Sequence, residues 1–318
     1  MTQTSTQSQH THRIRLAEEW LHSCAGCEMA FLNIGEHLLD LLQDIDIVHM
    51  PVLMDHKYYG QKGEYGQRRL PKADIGLVSG GCANEEHKEI LTHMRAQCDV
   101  LVALGTCATH GGIPAMANNW GMQETYEQVF QTSTCETTSV PADHLPRPLD
   151  RVYALDELVS IDLLLPGCPP NPTHIAEIIG SLVAGRQPQL PSKSVCDTCP
   201  AIRTGKMVSK EVKRFTCNCV FDHEQPIDTM RCLLEQGFLC MGPVTMAGCA
   251  RDGAPCCIRA RVPCRGCYGP ARQGGHQMMD MLNAVSGSGV DVKSIVDRKN
   301  MLRFSGAHNR LRVRRKRK

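Results

Sequence analysis

Eighteen cysteines in 318 residues are the chemistry this chain carries in excess. Thiolates ligate soft metals, exchange as disulfides or act as nucleophiles, and their spacing and compartment discriminate among these uses. The densest stretch, G-C-A-R-D-G-A-P-C-C-I-R-A-R-V-P-C-R-G-C at 248–267, holds five of them in twenty positions. Disulfides, zinc and iron–sulfur clusters compete to explain it. The first dozen residues, M-T-Q-T-S-T-Q-S-Q-H-T-H, are polar and contain neither an apolar export region nor a twin-arginine pattern. Nowhere do eighteen apolar residues follow one another, so no segment is expected to span a bilayer. The chain is therefore expected in the cytoplasm, where thiols stay reduced. In that setting so many cysteines point to metal.

Spacing sorts twelve of them into three foursomes. Cys24 and Cys27 form a C-x-x-C, and Cys107 and Cys168 stand alone far downstream. A chelating pair plus two single thiolates is what a cubane iron–sulfur cluster requires. Ala25, Gly26, Gly105, Gly111, Gly112 and Gly167 lie beside these four, and small residues let backbone amides approach cluster sulfides. Cys82, in S-G-G-C, is a rival for this site. The pair Cys196 and Cys199 can join Cys232 and Cys240, and Cys249, Cys257, Cys264 and Cys267 complete the third set, with Cys256 the rival of Cys257. Zinc stays open for the second half, because two C-x-x-C pairs also build structural zinc ribbons. Cys217 and Cys219, in T-C-N-C-V, read as free thiols.

The elements that must position the first foursome are legible. Near-continuous apolar runs at 13–21, 44–50, 74–80, 99–105 and 160–167 predict strands buried on both faces, hence parallel. Helices are expected at 28–42, 84–98 and 173–185; in the first, Phe31, Ile34, Leu38, Leu41 and Leu42 share a face. Alternation of this kind specifies an α/β domain, a flavodoxin-like doubly wound parallel sheet. Cys24 and Cys27 then follow the first strand, Cys107 the fourth and Cys168 the fifth. All of them reach the sheet edge where such folds bind ligands. That loop after the first strand, H-S-C-A-G-C-E, lacks a phosphate cradle, and neither G-x-G-x-x-G nor a Walker motif occurs, so a flavin or other nucleotide is not expected there. Glu28 opens the first helix, where an acidic side chain is favourable.

After G-R-Q-P-Q-L-P-S-K at 185–193 the apolar periodicity weakens and eleven cysteines follow within about 70 residues. An irregular, mostly helical domain held together by metal is expected there rather than one with a packed apolar core. The expected organisation is a disordered N-terminus at 1–12, the α/β domain at 13–190, the cysteine-rich domain at 191–290 and a basic C-terminal tail at 291–318. Net charge is +2, yet the last nine residues carry seven basic side chains and no acidic one, leaving an acidic body at −5. A solvated, disordered end is the expected reading of that tail.

Six motifs in order, W-L-H-S-C-A-G-C-E, L-G-T-C-A-T-H-G-G-I-P-A, L-P-G-C-P-P-N-P, V-C-D-T-C-P, C-L-L-E-Q-G-F-L-C and P-C-R-G-C-Y-G-P, resemble the small, electron-transferring subunit of cytoplasmic nickel–iron hydrogenases. The methyl-viologen-reducing type, linked to heterodisulfide reductase, is the nearest match, over roughly 13–285. The resemblance implies three 4Fe–4S clusters: a proximal one on Cys24, Cys27, Cys107 and Cys168, a medial one on Cys249, Cys257 (or Cys256), Cys264 and Cys267, and a distal one on Cys196, Cys199, Cys232 and Cys240. It also implies a separate large subunit holding the nickel–iron centre, and a downstream redox partner such as a heterodisulfide-reductase-type or iron–sulfur adaptor subunit. This chain alone is then not catalytic. Cys82 and Met246 depart from the pattern, standing where an aliphatic residue and an arginine are expected. Two other readings stand beside it. One is the cluster-bearing subunit of a quinone reductase, which pairs adjacent cysteines near its N-terminal motif and lacks the cysteine-rich half. The other is a zinc-stabilised nucleic-acid binder, disfavoured by only six Tyr, six Phe and two Trp and by the acidic body. Neither nucleic acid nor membrane is an expected partner.

Overall fold

The computed structural model describes residues 13–313, apart from 56, 137–138, 222–223 and 252. The expected N-terminal disorder at 1–12 lies outside the described residues, as do 314–318. In chain order the strands are β1 (Ile14–Trp20), β2 (Ile45–His49), β3 (Ala73–Ser79), β4 (Cys82–Asn84), β5 (Cys98–Leu104), β6 (Pro148–Tyr153), β7 (Leu163–Leu165), β8 (Ala250–Arg251) and β9 (Ala254–Pro255). Five of them form one sheet, β2-β1-β3-β5-β7, in which every neighbouring pair is parallel. That is the flavodoxin order, with its switch point between β1 and β3. The helices are α1 (Gly26–Leu32), α2 (His37–Asp44), α3 (Glu85–Gln97), α4 (Gly105–His110), α5 (Met122–Phe130), α6 (Pro172–Val183), α7 (Cys256–Arg259) and α8 (Gln277–Gly287).

Adjacent strand residues point to opposite faces, and both faces are covered. Leu16, Ile75 and Leu77 pack with Phe31 of α1 and Ile175, Ile178 and Ile179 of α6. Their neighbours Ala17 and Val78 pack with Ile90, Leu91 and Met94 of α3. Asn84 caps α3 by accepting from the His87 amide at 2.8 Å, and Asn171 caps α6 by accepting from Thr173. The helix expected over 28–42 is two helices. Gly35 takes a left-handed φ of +72° between them, open to glycine at little steric cost. The apolar face survives the break, since Ile34, Leu38, Leu41 and Leu42 all still reach the Phe31 core.

The second half is irregular, with short 3₁₀ turns, the β8–β9 pair, α7 and α8. Two expectations are corrected here. An apolar core does exist beside the cysteines: Val195, Met241, Val244, Met281, Val285, Val290 and Met301 bury one another together with Cys240 and Cys264. Half of that core comes from α8 and beyond, downstream of the cysteine-dense stretch. Nor is 291–313 a free tail. Leu302, Ala307 and Leu311 are buried, the Ala307 amide donates to the His110 carbonyl at 3.1 Å, and His308 Nε2 meets Asp156 at 2.8 Å. The chain thus returns to the α/β domain. Among the described residues no helix is long and apolar enough to cross a membrane.

Candidate metal centres

The C-terminal ends of β1, β5 and β7 bring Cys24, Cys27, Cys107 and Cys168 together. Burial first, then Glu28 and the three neighbouring cysteines raise the pKa of Cys27, and burial followed by Cys168 and Cys24 pushes Cys107 up to about 12. Two glycines make room for the thiols. At Gly105, φ +85°, a Cβ would stand 2.3 Å from Cys27 Sγ; at Gly112, φ +51°, it would stand 2.5 Å from Cys107 Sγ. Thr106 locks the loops. Its amide donates to the Gly167 carbonyl at 2.9 Å, its Oγ1 accepts from the Gly167 amide at 2.8 Å and donates to the Cys267 carbonyl at 2.5 Å. One buried threonine therefore ties both single-cysteine loops to the cysteine-rich half.

Cys196, Cys199, Cys232 and Cys240 line one narrow, enclosed cavity together with Arg203, Leu233, Ile258 and Cys264. Burial, then Cys199 and Cys232, push Cys196 up to about 11. Cys249, Cys257, Cys264 and Cys267 converge next to it. Burial, then Cys249, Cys257 and Cys168, push Cys267 up to about 12, and burial, then Cys240, Gly266, Cys257 and Cys267 shape Cys264, whose net shift is strongly upward. The rivals differ in burial, though both act on Cys249. Cys256 is exposed and donates its S–H to the Cys249 carbonyl at 3.1 Å, while Cys257 is half-buried and faces Cys264 and Cys267. Cys82 is fully buried in the α3-side core among Leu21, Val78 and Leu91, and it contributes to none of the shifts at Cys27, Cys107 and Cys168. Cys217 is exposed, and Cys219 packs with Cys199 on the Met230–Phe238 cluster.

The three groups are contiguous. Cys168 acts electrostatically on Cys267, and the Cys264 amide donates to Cys240 Sγ at 3.3 Å. Their chemistry fits iron–sulfur clusters. Cys27, Cys240 and Cys264 are buried and most of the others half-buried, which disfavours thiolates there unless a cationic centre compensates the charge. Backbone amides of Ile113, Ala201, Gly242 and Gly266 point at thiols of all three groups, the kind of donor that stabilises cluster sulfur. Among the described residues no three His, Cys, Asp or Glu side chains converge closely enough to hold a single metal ion.

Charge differs between the ends of this row. Glu28, in the first turn of α1, is fully buried and accepts from Ser79 Oγ. Glu18 lies against it with its pKa raised well above the carboxylate range by burial and then by the charge of Glu28. At the other end burial raises the pKa of Cys196 and Cys199, and Arg203 partly offsets that rise. Sequence reading missed Thr106, Glu18 and Arg203. Thr106 adjoins a ligand-type cysteine, but nothing local marks it as a brace; Glu18 sits in a strand whose one anomaly is two successive acids within a buried run.

A parallel sheet whose edge gathers thiols, followed by a lobe with two more thiol groups, defines a cysteine-ligated redox subunit. The family model described as "NADH ubiquinone oxidoreductase, 20 Kd subunit" matches residues 24–182. A subunit of the F420-non-reducing hydrogenase (vhu) of Methanococcus voltae is 35% identical, covering 90% of this chain and 92% of its own. The iron-sulfur subunit of the F420-non-reducing hydrogenase of Archaeoglobus profundus is 36% identical over 81% and 82%. Among solved structures, a chain of an NAD+-reducing [NiFe]-hydrogenase in the H2-reduced state is 35% identical with a TM-score of 0.51, covering 56% of this chain and 96% of that one. This chain belongs to the small-subunit family of nickel–iron hydrogenases. It is an iron–sulfur subunit of an oxidoreductase acting on hydrogen, which implies a large-subunit partner. The family model stops within the α/β domain, whereas the hydrogenase relatives also match the cysteine-rich half, and this separates the chain from the quinone-reductase reading.

Proposed function

We propose that the chain holds three 4Fe–4S clusters and passes electrons between the large subunit's dihydrogen-activating site and a downstream redox partner, a heterodisulfide-reductase-type or iron–sulfur adaptor subunit, in the cytoplasm. The proximal ligands are Cys24, Cys27, Cys107 and Cys168; the medial ones Cys249, Cys257, Cys264 and Cys267; the distal ones Cys196, Cys199, Cys232 and Cys240. When bound, each cluster supplies one-electron carriage with little structural rearrangement. The residues of this chain do the rest. Gly105 and Gly112 leave space at the thiols, Thr106 keeps the proximal loops in register with the medial motif, and the packed lobe excludes water. Buried Glu28 disfavours added negative charge at the sheet edge, while Arg203 favours it at the far end, so their opposite signs bias the two ends differently.

The observation that supports this most is the continuity of the three groups, Cys168 beside Cys267 and Cys264 bonded to Cys240. The test is anaerobic purification of the assembled hydrogenase with iron, zinc and nickel counted. About twelve irons per small subunit and no zinc are expected, with nickel following the large subunit. Cys257→Ser is expected to lose about four irons and Cys256→Ser none. Zinc in place of iron, or equal losses in the two variants, contradicts the assignment.

A further inference from the structure

Three stretches far apart in sequence meet around a cavity of about 680 Å³: the end of α4 at Thr109 and His110, the loop at Arg272–His276, and the returning C-terminal segment at His308–Arg312. The volume is in the range of small-molecule sites. Arg272, Arg310 and Arg312 line it with Asp156, and Glu157 and Asp280 lie close enough to act on Arg310 as well. Two of these charges are already engaged. Arg272 is paired with Asp280 at 2.7 Å, and Asp156 with His308 at 2.8 Å. Arg312 spends its Nε on the Asn309 carbonyl at 2.8 Å.

Arg310 is different. It is half-buried, has no ion-pair partner among the described residues, and its Nη1 is sealed from solvent without an acceptor. Burial pushes its pKa down, against the opposing pull of Asp156, Glu157 and Asp280. His110 and His308, on the same cavity, each keep a buried Nδ1 without a partner as well. His110 is neutral over the physiological range, its pKa pushed down to about 3 by burial and then by Arg310. Leaving a buried donor unmade costs about 1–3 kcal/mol, and more when it is charged. Such groups are kept where something else satisfies them. With Asp280 held by Arg272, Asp156 by His308 and Glu157 by Arg151, Arg310 and Arg312 are the charges left over, so the missing component is an anion.

We propose that this cavity is a binding site for a small molecule bearing a phosphate or diphosphate group, with Arg310 as its central contact and Arg312 at its rim. No phosphate motif marks it, because the donors come from three separate stretches. A bound anion would fasten the C-terminal segment to both halves of the chain. The site is independent of the cluster assignment.

The test is calorimetric titration of the assembled hydrogenase with pyrophosphate, ADP and citrate. Pyrophosphate is expected to bind once per small subunit, and Arg310→Met to weaken it by at least about tenfold, or ~1.4 kcal/mol, with hydrogen-dependent dye reduction unchanged. Arg310→Lys should restore part of the affinity. ADP binding more tightly than pyrophosphate would extend the class to nucleotides and sustain the proposal. If Arg310→Met fails to assemble, Arg312→Met carries the same expectation in weaker form. Absence of saturable heat, equal affinity in the Met variant, or citrate binding more tightly than pyrophosphate overturns it.

Discussion

The sheet edge and the cysteine-rich lobe hold the same kind of side chain by different physics. At the edge, Cys24, Cys27, Cys107 and Cys168 hang from strands whose cores on both faces are built almost wholly without them. In the lobe, Cys240 and Cys264 are themselves core residues, packed with Val195, Met241 and Met281, and few regular hydrogen-bonded elements surround them. The first site is a scaffold that carries its proposed ligands. The second is a region where the proposed ligands and the scaffold are the same residues, so on that proposal metal and fold should be thermodynamically linked there and much less so at the edge.

Stripping the metal is the strongest way to break this comparison. Hydrogen exchange on chelated protein is expected to show protection kept in β1, β3 and β5 and lost through 195–267, apart from what α8 sustains. Equal loss in both regions would remove the distinction. Gly105→Ala comes next. Its Cβ would meet Cys27 Sγ and its left-handed backbone costs roughly 1–2 kcal/mol, so about four irons should be lost from the edge with the lobe's iron retained. Thr106→Val sharpens the boundary between the regions. It deletes the side-chain bonds to Gly167 and Cys267 while keeping the shape, which should cost about 1–3 kcal/mol and lower Tm by a few degrees at normal iron content.

The smallest effect concerns Glu18. Its folded pKa is raised, so folding favours the protonated form; its contribution is complete below the unfolded value near 4.3 and is lost as pH rises through the folded pKa. Kept protonated, it can share its proton with Glu28, whose Oε2 has no other donor. Glu18→Gln should therefore flatten Tm between pH 5 and 9 and raise it by about 2–4 °C at the alkaline end. An unchanged slope would mean that Glu18 is ionised in the folded protein.

A good deal of this is legible along the chain. Strand positions and the apolar face from Phe31 to Leu42 are local patterns, and a period of two or 3.6 residues is visible without coordinates. The grouping of Cys24 and Cys27 with Cys107 and Cys168 is also within reach, because parallel strands must all end on one edge. The break at Gly35 and the antiparallel pair β4–β6 are not legible, since their signals are single residues.

The inventory is written locally: which strands are buried on both faces, and which thiols are near neighbours along the chain. Packing in three dimensions decides the rest, namely that Cys257 is more buried than Cys256, that Cys82 belongs to the α3 core, and that the C-terminal segment returns to Asp156 and His110. The reason is range. Periodicity and chelate spacing act over a few residues, whereas burial and electrostatic partnership depend on groups brought together from 24 to more than 150 residues apart.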